Sequence, residues 1–161
     1  MKPDAFLAKF APVYRPYAAG YNLPLPMLLA QVAIESGWGE KSAPGTTLNF
    51  TGMKRTPSMW QSAGKPVMAT ENQHKAKADL EPAVFCQYWT ADECASHHCR
   101  TLAFSGNYVR FRRLFAESRP MSEVVGAMAT VYCTDASYAG KLLKIIAQLE
   151  GIAGPDLNLI A

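Results

Sequence analysis

The stretch Leu25 to Gly39 constrains the chain more than any other. Leu23-Pro24-Leu25-Pro26 leads into it, and Pro26 suits a first helical turn, where a missing N–H costs nothing. Leu28, Leu29, Val32 and Ala33 then recur at helical spacing and form a buried stripe. Gly37 and Gly39 end the helix. Near that end stands one carboxylate, Glu35, in an otherwise apolar helix. The partial negative charge of a helix C-terminus, an apolar surround and nearby Trp38 all disfavour its ionised form. Such a carboxyl is expected to hold its proton to higher pH, as a general acid must. The alternative is a solvated glutamate at a helix edge.

The rest of the chain divides by pattern. Phe6, Leu7, Phe10, Val13, Tyr14 and Tyr17 predict a helix over 4–19, which Pro12 and Pro16 should kink or break. Over 40–88 glycines and prolines are frequent, with short β-leaning pieces at 65–70 and 83–89. This predicts an irregular, β-rich lobe. Helices return with Thr90-Ala91-Asp92-Glu93, which has capping-box spacing. That helix is expected to run to Ala103, followed by helices over 108–117, 122–132 and 137–149, with Gly151 and Gly154 closing the last. Of 161 residues 49% are hydrophobic and 18% charged, enough for a core. The expectation is one α+β domain over 1–161, mainly α, with a cleft between helical body and β-rich lobe.

The net charge of +3 is mild. The basic residues form no stripe, so nucleic acid is not the expected partner, while an acidic polymer fits weakly. No apolar run reaches the ~20 residues of a membrane span. Met1 to Lys9 lacks the apolar stretch of a secretory signal. Cys86, Cys94, Cys99 and Cys133 could form two disulfides or remain thiols. Cys94, His97, His98 and Cys99 crowd one stretch, but successive helical positions point around the cylinder and cannot share one ion, so no metal or other cofactor is expected. A phosphate-binding glycine loop, a His-Glu-x-x-His run and a Gly-x-Ser-x-Gly elbow are absent from the sequence.

Other residues could serve chemistry. Glu71, after the short strand ending at Thr70, could supply a second carboxylate. Two carboxylates on opposite cleft walls can cleave a glycosidic bond. Tyr132, before Cys133-Thr134-Asp135, could orient a water or a substrate amide. Asn49 could bind sugar hydroxyls or shape a turn. Trp38, Trp60, Tyr88 and Trp89 could stack on sugar rings or pack in the core.

Taken together, these segments resemble glycoside hydrolase family 73, the peptidoglycan N-acetylglucosaminidases with a lysozyme-like fold. Leu28 to Gly39 resembles the family's central motif. Leu48-Asn49-Phe50-Thr51-Gly52-Met53-Lys54 resembles its Asn-Asn-Leu-Phe-Gly-Ile-Lys stretch. Phe85-Cys86-Gln87-Tyr88 resembles its Phe-x-x-Tyr. Tyr132 to Asp135 with Ser137 to Leu142 resembles its Tyr-Ala-Thr-Asp-Pro-x-Tyr-Ala-x-Lys-Leu. The resemblance spans residues 5–150. It implies a general acid at Glu35, a lobe carboxylate at Glu71, an active-site tyrosine at Tyr132, and substrate contacts at Asn49, Trp38, Tyr88 and Tyr138. It departs at Leu48, at Thr51 (family Phe, hence a less apolar wall), at Cys133 (family Ala) and at Ala136 (family Pro).

The implied reaction is hydrolysis of the β-1,4 bond from N-acetylglucosamine to N-acetylmuramic acid. A lytic transglycosylase or a phage lysin on the same scaffold, and a non-catalytic glycan-binding module, are the alternatives. A chain of this size without a signal fits an antibacterial effector made in the cytoplasm and delivered by a type VI secretion system. It would act in a target cell's periplasm, with a cognate immunity protein occluding the cleft. A fragment of a larger flagellar or autolysin protein would look similar.

Overall fold

The computed structural model describes residues 1–55, 67–68 and 82–157. Six α-helices make up most of this: α1 (Pro3–Tyr21), α2 (Leu25–Ser36), α3 (Ala91–Phe104), α4 (Val109–Ala116), α5 (Met121–Tyr132) and α6 (Tyr138–Ala153). Short 3₁₀ turns at Gly106–Tyr108 and Gly154–Leu157 join or end them.

The apolar helix read from the sequence is α2, and it is the axis of the core. Every side chain from Leu25 to Ala33 is buried, as is Ser36. A helix apolar on all faces must be enclosed on all faces. Here α1 and α6 pack against it directly. Each large side chain so buried contributes roughly 1.5–3 kcal/mol, which fixes α2 more firmly than its helix propensity could.

Helix α1 runs unbroken through Pro12 and Pro16, contrary to the expectation of a break. Both prolines are exposed, as is Ala8. The carbonyls of residues 8 and 12, which lose their intrahelical donors, therefore sit on the solvent side, where water can serve them. The opposite face, with Phe6, Phe10, Tyr14 and Ala18, is buried and holds the helix together.

The capping box at the start of α3 forms, shifted by one partner. Thr90 Oγ1 accepts from the Glu93 backbone N–H at 3.1 Å. The Glu93 carboxylate reaches the N–H of Trp89, at 2.7 Å, rather than that of Thr90. Helix α6 continues past the expected 149 to Ala153, with Gly151 inside it and Gly154 as its cap at φ 65°.

Of the β-rich lobe expected over 40–88, residues 56–66 and 69–81 lie outside the described residues. The described β structure there is one two-residue antiparallel pair, Val67–Met68 against Pro82–Ala83, and a single bridge between Lys54 and Phe85. The mainly helical class is therefore established, while a lobe rich in strands is not part of what is described. Among the described residues, no helix is long and apolar enough to cross a membrane. All four cysteines are free thiols.

Candidate active site

Glu35 is the penultimate residue of α2, and the turn after it is pinned by its sequence. Gly37 takes the left-handed conformation at φ 56° and its N–H returns to the carbonyls of Ala33 and Ile34. The hydroxyl of Ser36 accepts from the Gly39 N–H at 2.7 Å and donates to the Val32 carbonyl. Gly39, at φ 77°, has the Phe10 ring where a side chain would begin: a Cβ there would lie 2.5 Å from Phe10 Cε2. Only glycine lets this loop settle on α1.

The Glu35 side chain is exposed, and it opens into a groove of about 560 Å³. The sealed apolar surround expected from the sequence is replaced by polar neighbours. One wall is Thr51, Gly52, Met53 and Lys54. The second is Tyr132, Cys133 and Thr134, where α5 ends. Thr101 and Tyr108 complete the lining from the end of α3 and its 3₁₀ turn. Arg112 holds that last corner, donating through Nη1 to the carbonyls of Leu102 and Ser105, both at 2.8 Å. Neither Thr101 nor Tyr108 was singled out from the sequence. A Thr and a Tyr at helix ends carry no signal until the fold sets them beside Glu35.

Asn49 builds the first wall from within. It is 1% exposed, and its amide nitrogen donates to the carbonyls of Met53 (2.9 Å) and Cys86 (3.0 Å). Its amide oxygen accepts from the N–H groups of Met53 (3.1 Å) and Thr51 (3.4 Å). All four of its hydrogen-bonding positions are thus spent on backbone. These bonds give Asn49 the turn-shaping role, one of the two expected from the sequence. The turn is tied onward by Cys86 N–H to the Met53 carbonyl at 2.9 Å and Arg55 N–H to the Val84 carbonyl at 2.7 Å. Thr51 is 1% exposed and its hydroxyl faces Asn49 and Cys94 Sγ. The departure from Phe at this position therefore changes the packing beneath the wall.

The second wall is locked to the first by Tyr132, whose hydroxyl donates to the Thr51 carbonyl at 2.8 Å across 81 residues of sequence. Behind it, Asp135 accepts from the Ser137 N–H (2.8 Å) and hydroxyl (2.7 Å) and pairs with Lys141 at 2.7 Å. The Lys141 bond, then those from Ser137, hold the Asp135 carboxyl well below the usual carboxylate range. This turn starts α6 so that its first residue, Tyr138, faces α2. Tyr138 is buried, and its hydroxyl donates to Glu35 Oε1 at 3.0 Å. Burial first, then Tyr132 and Glu35 nearby, push the Tyr138 phenol far above its ordinary pKa.

The remaining candidates fall elsewhere. Trp38, at φ 62°, packs edge-on against Phe6 with ring centroids 5.4 Å apart. Tyr88 is buried, its hydroxyl 2.6 Å from His97 Nδ1. Neither lines the groove that holds Glu35. Trp89 is 82% exposed, away from that lining. Glu71 and Trp60 lie outside the described residues. His97 points to Tyr88, while His98 points to Tyr14 at 3.3 Å, so the two histidines diverge. Among the described residues, no three histidine, cysteine or acidic side chains converge as a metal site would require.

Comparison with known proteins agrees with this geometry. Residues 11–151 match the glucosaminidase family, described as mannosyl-glycoprotein endo-beta-N-acetylglucosaminidase. The peptidoglycan hydrolase FlgJ of Vibrio cholerae is 29% identical over 149 residues, which cover 91% of this chain and 43% of that protein. The chain thus spans less than half the length of this relative. The solved glycoside hydrolase domain of Salmonella typhimurium FlgJ superposes with a TM-score of 0.68 at 25% identity, covering 94% of this chain and 91% of that one. The catalytic domain of the autolysin Auto from Listeria monocytogenes superposes with a TM-score of 0.70 at 21% identity, covering 99% and 87%, and shares the fold.

Proposed function

The chain belongs to the glucosaminidase family, glycoside hydrolase family 73, and on that footing we propose that it hydrolyses peptidoglycan with Glu35 as general acid. The bond is the β-1,4 link from C1 of N-acetylglucosamine to O4 of N-acetylmuramic acid. Glu35 gives its proton to the bridging oxygen, the C1–O bond breaks, and muramic acid leaves with a free 4-hydroxyl. Positive charge develops at C1. Glu71, or the substrate's own acetamido oxygen held near Tyr132, stabilises it. A water then adds to C1 and returns a proton to Glu35, which balances the cycle. Carboxylates about 5 Å apart would suit a covalent route, and more than ~6.5 Å a direct attack by water.

The observation that carries the reading is the setting of Glu35. It stands at the end of a buried helix, takes a hydrogen bond from Tyr138 on Oε1, and opens to a groove of the size that holds small ligands and sugar units. The relatives, a peptidoglycan hydrolase and a glycoside hydrolase domain, support the reading. Digestion of purified wall followed by mass spectrometry of the released muropeptides tests it. Fragments that carry N-acetylglucosamine as a new reducing end are expected. Anhydro ends would instead assign a lytic transglycosylase. Binding without release would assign a glycan-binding module, and Glu35→Gln cleaving as fast as wild type would remove Glu35 from the chemistry.

We place its action in the periplasm of a target cell, where peptidoglycan lies, with an immunity protein of the producing cell filling the groove. Periplasm-directed expression should lyse the host, and Glu35→Gln should not.

A further inference from the structure

The contacts of Tyr138 assign roles to the two oxygens of Glu35. The Tyr138 ring is 4% exposed, and its hydroxyl meets Oε1 at 3.0 Å. Buried as it is, the phenol keeps its proton at any working pH, so it acts as a donor. Gln31, one turn before Glu35 on α2 and fully buried, acts on the same phenol in the sense that favours phenolate. The amide of Gln31 is itself fixed against Met128, with Nε2 3.4 Å from Sδ. The phenolic hydrogen is directed at Glu35 Oε1. The Tyr132 ring stacks on that of Tyr138, centroids 5.6 Å apart and planes within 13°, and holds its orientation.

A carboxyl group that accepts a hydrogen bond on one oxygen carries its own proton on the other. We infer that Tyr138 is a positioning residue: it reserves Oε1 as an acceptor, so that the proton given to the sugar bridge leaves from Oε2. This rests on the reading of Glu35 as general acid. Oε2 lies on the Gly52 side of the carboxyl, where a Cβ on Gly52 would come within 3.6 Å. It is the oxygen nearest the 51–54 wall. Tyr138 therefore sets the direction of proton delivery without touching the reacting atoms.

The test is the pH profile of Tyr138→Phe on soluble glycan strands released from peptidoglycan. Loss of a donor to Glu35 destabilises its carboxylate and raises its pKa. The alkaline limb of kcat, where the acid is lost, is expected to move up by about 0.5–1 pH unit. At the same time kcat should fall about tenfold with KM little changed, because the proton is no longer aimed. Gln31→Met should move the limb the same way by less, and it serves as the test should Tyr138→Phe not fold. An unmoved limb in the folded variants overturns the inference. So does a raised KM with unchanged kcat, which would make Tyr138 a substrate contact. Glu35→Gln separates the two readings. If it is inactive while the Tyr138→Phe limb stays put, only the positioning role falls. If it is active, the general-acid reading itself falls.

Discussion

The rings of Tyr132 and Tyr138 lie nearly parallel, 5.6 Å apart, yet their hydroxyls serve different partners. That of Tyr132 donates to the Thr51 carbonyl and that of Tyr138 to Glu35. One stacked pair thus spans the groove, setting the acid with one ring and fastening the opposite wall with the other.

Removing the fastening should be felt in catalysis more than in folding. Tyr132→Phe keeps the stack and loses one hydrogen bond, so stability should drop by about 1 kcal/mol in urea unfolding. Wall digestion should slow about tenfold or more as the 51–54 wall loosens. An unchanged digestion rate would mean that the link to Thr51 does not matter to substrate.

Asn49 should behave in the opposite way. Asn49→Ala strands the Cys86 carbonyl and the N–H groups of Met53 and Thr51, while the Met53 carbonyl keeps the Cys86 N–H, and a loss of about 2–4 kcal/mol is expected. Urea denaturation measures it. A variant of full stability with a raised KM would instead make Asn49 a sugar contact.

His98 should make the fold acid-sensitive. Burial, and then the neighbouring His97, push its imidazole down to about 3 from an ordinary 6.5. The unfolded chain therefore takes up the proton first. The stability contribution is complete above about pH 6.5 and is lost as pH falls from there towards 3. The expected loss is about 2 kcal/mol between pH 6.5 and 5. His98→Gln cannot titrate and should flatten that limb. An equally steep limb in the variant would assign it to other groups.

Thiol chemistry should distinguish one cysteine from three. Cys86, Cys94 and Cys99 are buried, and burial pushes the Cys99 thiol up to about 12. Cys133 is only partly buried and lines the groove beside Tyr132. Iodoacetamide should label native protein at one site, slow wall digestion as it does so, and label four sites only after unfolding. Rapid native labelling at several sites would contradict this arrangement.

Much of this site could be read in advance, because chemistry and local structure coincide there. The apolar run with Glu35 at its end is a helix that must be buried, and the Ser-Gly-Trp-Gly after it can only be a turn. Tyr132 was singled out by its place before Cys133-Thr134-Asp135, and Tyr138 came from the resemblance of a whole segment. For Asn49, Trp38 and Tyr88 the sequence left both a sugar contact and a packing or turn role open; in the fold Asn49 and Tyr88 are buried and Trp38 is half-buried against Phe6. Sequence does not tell whether a polar or aromatic side chain faces a groove or a backbone that it must satisfy. Gln31 was legible but passed over: a lone amide in a buried apolar turn, four residues before the acid, needs a partner nearby. The unbroken α1 was not legible, because solvent exposure of both prolines is a property of the assembled core. Glu71 lies outside the described residues.

Enclosure of α2 on nearly every side has a last consequence. A bulky polymer entering between the two sides meets one jaw that cannot recoil, since any shift of Glu35 would have to drag the centre of the molecule with it. Accommodation is left to the other jaw, the segment from Asn49 to Lys54, which is held by one amide side chain, one phenol and a short backbone pairing with residues 84–86. Changes in which glycan is admitted should therefore arise there, while Glu35 stays where it is.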